Sequence, residues 1–211
     1  MSKYQFQESD IYLPGTEIPF NRLGLEDADL LGAVEESLLQ QAYQAFIVEL
    51  SAEICFDEAY YRSLHQRTLA TLYDWAGLYR SVDMAKGGSL FCRAAYLEQE
   101  SGRIFRQLEA ENFLKEAQDW PTLRFAERLA YYQGELIALH PFLELNGRVT
   151  RLFIDLIAIF NGYGPIDYSH ALGDGEPNAY IRASIACVQR ADIDSLQQII
   201  LDGLCRVDDM S

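Results

Sequence analysis

The sequence predicts a mainly α domain: a helical bundle packed around one central buried helix, with a single small β-hairpin. Three observations carry that prediction. Apolar residues recur at three- and four-residue intervals through most of the chain. The stretch from Val149 to Phe160 is apolar nearly all round, as a helix enclosed on every side must be. Around Lys86-Gly87-Gly88-Ser89 the helical rhythm stops, and a Gly-Gly pair suits a hairpin turn that needs positive φ.

The elements follow in order. Residues 1–24 carry Pro14, Gly15, Pro19 and Gly24 and read as an extended arm lying on a single domain of residues 1–211. From about Glu26 to Ser51, Leu30, Leu31, Val34, Leu38, Tyr43, Phe46 and Leu50 mark a first helix. Asp57 can cap a second, which carries Tyr60, Tyr61, Leu64, Leu69, Leu72 and Tyr73 and has room for a break within that span; Gly77 punctuates the chain after it. Residues 79–96 form the predicted hairpin, with ragged pairing. Helices are expected from about Leu97 to Asn112 and from about Thr122 to Leu139, the latter opened by Pro121. The apolar central helix ends at Asn161-Gly162, and two more follow, from about Pro177 to Gln189 and from about Asp194 to Leu204.

Composition narrows the function. A chain of 211 residues can bury a substantial core in one domain. Its formal net charge of -15 argues against direct nucleic-acid binding, which needs an excess of lysine and arginine. Cys55, Cys92, Cys187 and Cys205 are far apart, with no CxxC pair and no nearby histidine, so free thiols are expected and a zinc site is not. Neither a secretory leader nor an apolar run of roughly 18 residues is present, and the expectation is a cytoplasmic protein with no membrane partner.

Residues 140–151, His-Pro-Phe-Leu-Glu-Leu-Asn-Gly-Arg-Val-Thr-Arg, concentrate the chemistry. Pro141 forces His140 out of helical geometry, so the Thr122 helix ends there and presents the imidazole at a loop. Such a group, with a usual pKa near ~6.5, can accept a proton at neutral pH. Glu144 offers a hard oxygen ligand, and magnesium takes only one or two protein carboxylates beside waters and substrate phosphates. Asn146 and Gly147 fall where the central helix begins, with free N–H groups and a positive dipole end. Arg148 and Arg151, three apart, project from one face of its first turn and can fork onto successive phosphates. Base, metal ligand, dipole and cations converge on a polyphosphate. His65 and His170 read as ordinary structural histidines.

This stretch resembles the motif of the Fic family, His-x-Phe-x-(Asp/Glu)-Gly-Asn-(Gly/Lys)-Arg-x-x-Arg. It matches at His140, Phe142, Glu144, Asn146, Gly147, Arg148 and Arg151, and departs where Leu145 replaces glycine. The lead-in Phe125 to Tyr132 and the hairpin are similar to the family too. The likeness extends from about Tyr12 to Leu204 and is strongest to short bacterial toxin-type members. What it implies is a Fic-type bundle whose hairpin is a flap, and transfer of AMP from ATP to a Ser, Thr or Tyr hydroxyl of a target protein. His140 would be the base, Phe142 a core anchor and Glu144 the Mg2+ ligand. Leu145, Asn146 and Gly147 would cradle phosphate, with Arg148 and Arg151 on the β- and γ-phosphates. Lys86, Gly87, Gly88, Ser89, Leu90 and Phe91 would hold the target segment by strand addition. Tyr180 is a candidate for lining the adenine pocket, with ordinary packing as the alternative. Glycine at position 147, where phosphorylating members carry lysine, points to AMP transfer.

Two expectations come from departures. If positive φ is required at Leu145, a leucine costs on the order of 1–2 kcal/mol there. The reading is then an enzyme that is slowed or altered in seating its nucleotide. The alternatives are a degenerate nucleotide-binding or regulatory partner, or transfer of another phosphate-linked group. No Ser or Thr has a Glu four residues on, so the family's usual inhibitory (Ser/Thr)-x-x-x-Glu pattern is missing. The resemblance then implies inhibition by a separate small antitoxin protein whose glutamate reaches Arg151. A type II DNA topoisomerase is the target suggested by resemblance.

Overall fold

The computed structural model describes residues 11–173, 175 and 177–210. Among them the chain forms eight α-helices and one two-stranded antiparallel ladder. This is the mainly α bundle with a small hairpin that the apolar spacing predicts.

The arm's first ten residues lie outside the described ones. Its remainder doubles back through a bridge between Tyr12 and Pro19 and seats Ile18 against the core. Helix α1 (Ala28–Val48) starts at Asp27, whose carboxylate accepts from the Leu30 amide at 2.9 Å. Helix α2 (Glu58–Leu69) starts at Asp57 in the same way, at 2.7 Å from the Tyr60 amide. It ends at Leu69, so the Leu72 and Tyr73 end of the predicted span is a separate turn. The hairpin pairs only Ala85–Lys86 (β1) with Ser89–Leu90 (β2). Gly87 and Gly88 carry φ of 55° and 80° at its tip, the double positive φ of the commonest two-residue hairpin turn.

Helices α3 (Leu97–Ala110) and α4 (Thr122–Leu139) follow, then α5 (Asn146–Phe160), the predicted central helix. Helix α5 packs against α1, α2 and α4. Its Phe153 lies edge-on to Phe56, Tyr61 and Phe105, all within a fully enclosed aromatic cluster. Each such side chain contributes about 1.5–3 kcal/mol of burial. The short helix α6 (Ser169–Leu172) was not expected, because four residues are too few to show a period. Helix α7 (Ala179–Arg190) begins two residues later than expected, since Asn178 is its cap. Helix α8 (Asp194–Gly203) lies across α4 and α7. Gln133, buried in the middle of α4, bonds the hydroxyls of Tyr180 and Tyr168 and so joins α4 to α7 and the α6 turn. None of the described helices is long and apolar enough to cross a membrane.

Candidate active site

The C-terminal end of α4 and the N-terminal end of α5 meet at one loop, residues 140–145, and the loop is built from inside. Phe142 is fully buried and stacks on His65 at 4.0 Å. The Asn146 side chain clamps the Phe142 backbone twice: its Oδ1 accepts from the Phe142 amide at 2.8 Å and its Nδ2 donates to the Phe142 carbonyl at 2.7 Å. Both polar ends of Asn146 are therefore engaged in closing the loop. His65 supports the loop from below. It accepts from the Gly77 amide at Nδ1, so Nε2 carries the proton and faces the Glu144 carbonyl at 3.2 Å. Burial pushes its pKa down to about 4.

His140 caps α4 in a left-handed conformation, φ 45° and ψ 58°. The residue leaves helical geometry as Pro141 demands, but into the left-handed region rather than an extended one. Its ring stacks on Phe91 of the hairpin at 3.8 Å and 9°. Only 8% of the residue is exposed. Burial first, then the nearby Arg80 charge, pushes its pKa down to about 3, so the imidazole is neutral in the free protein and its protonated form is disfavoured there.

Leu145 has φ 58° and ψ 9°, so the positive φ that the motif's glycine would supply is required here. The leucine is nevertheless 4% exposed and belongs to the main core. Glu144, 2% exposed, accepts a hydrogen bond from the Tyr12 hydroxyl of the arm at 2.9 Å. A Cβ added at Gly147 would meet nothing within 4 Å, so the first turn of α5 faces open space.

The two arginines are held differently. Arg148 donates to Glu35 of α1 at 2.8 Å and lies 3.6 Å from Glu36; Tyr73 donates to the other Glu35 oxygen at 2.7 Å. Arg151 lies over the rings of Tyr180 and Tyr168, at 5.1 and 5.9 Å, and no carboxylate salt bridge reaches it among the described residues.

These residues enclose a cavity of about 560 Å³. His140, Glu144, Leu145, Asn146, Gly147, Arg148 and Arg151 line it from the loop and α5, and Lys86, Gly87, Ser89 and Phe91 from the hairpin. Of the other two hairpin residues, Gly88 and Leu90, neither lines it, and Leu90 points to solvent. Tyr180 lines it with an apolar wall that the sequence did not mark: Ile137, Pro177, Ile181, Ile185 and Val188. The cavity thus has a cationic, dipolar end and an apolar end, which suits a nucleotide triphosphate. No group of three or more His, Cys, Asp or Glu is positioned to hold a metal among the described residues. One carboxylate at a phosphate site still fits magnesium, which brings its own waters.

A model of the Fic/DOC family matches residues 55–158. "Probable protein adenylyltransferase y4lH" of Sinorhizobium fredii is 30% identical over 185 residues, 88% of this chain and 91% of that protein. The chain belongs to the Fic/DOC family. "Protein adenylyltransferase VbhT" of Bartonella schoenbuchensis is 33% identical over 164 residues, 77% of this chain but 33% of VbhT. The Fic fold extends over nearly the whole chain. The crystal structure of BepC from Bartonella tribocorum, with bound AMPPNP, superimposes with a TM-score of 0.78 at 20% identity, covering 93% of this chain and 96% of that one.

Sequence reasoning missed four residues that serve this Fic site: Tyr12, Glu35 and Arg80, together with the loop-supporting role of His65. Nothing in local spacing marks them, because each reaches the motif across 60 to 132 residues of chain.

Proposed function

We propose that this Fic protein is an adenylyltransferase that moves AMP from ATP to a hydroxyl of a target protein. The observation that carries the reading is the convergence of a neutral histidine, one carboxylate, a helix N-terminus and two arginines on one two-ended cavity. Relatives named protein adenylyltransferase support it.

The triphosphate lies at the mouth of α5, its charge met by backbone N–H groups and by Arg148 and Arg151. Adenine takes the apolar end, against Tyr180, Ile181 and Val188. The target's hydroxyl oxygen attacks the α-phosphorus while His140 takes its proton. A P–O bond forms to the target, the bond to the β-phosphate breaks, and pyrophosphate leaves with its charge held by the arginines. Glu144 would hold magnesium, which would supply charge neutralisation for the phosphates. Lys86 to Phe91 would grip the target's backbone beside His140. Glycine at position 147, where the resemblance gives phosphorylating members a lysine, supports AMP rather than phosphoryl transfer.

Arg151, cushioned by two tyrosines and free of a carboxylate salt bridge among the described residues, is open to a glutamate from a separate antitoxin. Arg148 is paired with Glu35 through Nη2 and would meet phosphate with the remaining donors of its guanidinium. A type II topoisomerase is the first target to assay.

The test uses ATP labelled at either the α- or the γ-phosphate, with bacterial lysate as target. Label from the α-position alone should enter protein. Transfer from the γ-position would replace the reading with phosphorylation.

A further inference from the structure

Arg80 is an arginine only 3% exposed, and no carboxylate salt bridge reaches it among the described residues. A buried cation without a counter-ion is costly unless its donors are satisfied. Here backbone carbonyls satisfy them. Nε donates to His140 O at 2.8 Å and Nη2 to Leu139 O at 3.4 Å, the last carbonyls of α4. Nη1 donates to Val82 O at 2.6 Å, and Nη2 also to Cys92 O. Val82 and Cys92 are the two roots of the hairpin. The backbone repeats the link: Arg80 N donates to Pro141 O at 2.8 Å, and Cys92 N to Ala138 O at 2.9 Å.

One planar guanidinium therefore ties both feet of the flap to the helix end that bears the base. A cation also suits that end, where the α4 dipole is negative. Resting on the adenylyltransferase reading, we infer that Arg80 is a positioning residue that fixes the distance between the flap-held target and His140. Phe91, carried just inside the Cys92 root, stacks on the His140 ring and reports the same registration. Lysine cannot replace this clamp, because its three donors share one nitrogen and cannot span carbonyls on two elements.

The test compares Arg80→Lys and Arg80→Met with wild type by ATP calorimetry, kcat and KM for the target, and amide hydrogen exchange. ATP affinity should be unchanged, because Arg80 does not line the cavity. Turnover should fall roughly 10- to 100-fold, the scale of a misplacement near 1 Å, and KM for the target should rise. Exchange should quicken at residues 82–92 and at Leu139 and His140, and nowhere else. Wild-type turnover in Arg80→Lys would overturn the proposal. So would ATP affinity and melting temperature falling together with rate, or failure of both variants to fold, since either marks a purely structural role. Should wild type transfer no AMP, the adenylyltransferase reading fails, and unaltered flap exchange in Arg80→Lys would separately dismiss the clamp.

Discussion

Leu145 sets two effects against each other at one residue. Its φ of 58° costs a side chain on the order of 1–2 kcal/mol relative to glycine. Its burial in the core contributes about 1.5–3 kcal/mol. Packing thus offsets strain, which explains how leucine stands where the motif has glycine. Leu145→Gly should lower stability by about 1–3 kcal/mol, since the lost packing outweighs the relief. Leu145→Ala should be lower still, keeping the strain and losing the packing. Urea unfolding checks this order; alanine above glycine would show that the left-handed strain is absent. His140 gives a second prediction. Its pKa, pushed down to about 3, keeps the ring neutral from pH 8 to below 5. In the free protein the His140 ring signals should therefore not titrate near pH 6.5 by NMR, where an ordinary imidazole would begin to protonate. A titration centred there would mean that His140 is not desolvated.

At the scale of elements, the site is the junction of α4 and α5, and Asn146 closes it. Asn146→Ala would leave the buried Phe142 amide and carbonyl without partners, at about 1–3 kcal/mol each. The variant should lose 2 kcal/mol or more by that reckoning, together with ATP binding, because the first turn of α5 loses its register. Calorimetry alongside urea unfolding checks it; normal ATP affinity would show that the loop holds without this clamp. The same junction shows what the sequence made legible. His140, Glu144, Arg148 and Arg151 lie within twelve residues, so one short loop and the first turns of one helix bring them to one cavity. Glu35 reaches Arg148, and Arg80 reaches the His140 carbonyl, across 113 and 60 residues. Periodicity places their helix and hairpin but carries no information on which distant backbone or cation they meet. The hairpin was legible from Gly87-Gly88, yet its pairing of two residues per strand was not, because ladder length leaves no periodic signal in so short a run.

Across the whole molecule, α5 serves as both core and active-site mouth, so stability and activity share a helix. Asp155 illustrates this. Buried in α5, it accepts from Tyr43 of α1 at 2.9 Å and from the Ile166 amide at 3.1 Å. Burial raises its pKa to about 7. A group raised on folding contributes stability fully below its unfolded value, near ~4, and loses it as pH rises through about 7. Asp155→Asn removes that loss while keeping the shape of the protonated acid. Its melting temperature relative to wild type should therefore climb between pH 5 and pH 8; a constant difference would show that Asp155 does not titrate there.

The central claim is that a triphosphate binds at the amino end of α5 with the His140 imidazole beside its α-phosphate. The most direct measurement is α-labelled ATP transfer into lysate protein by wild type and His140→Ala, with ATP affinity measured for both. Wild type should transfer label and His140→Ala none, at similar ATP affinity. Equal labelling by the two proteins, or no ATP binding by wild type, would contradict the claim.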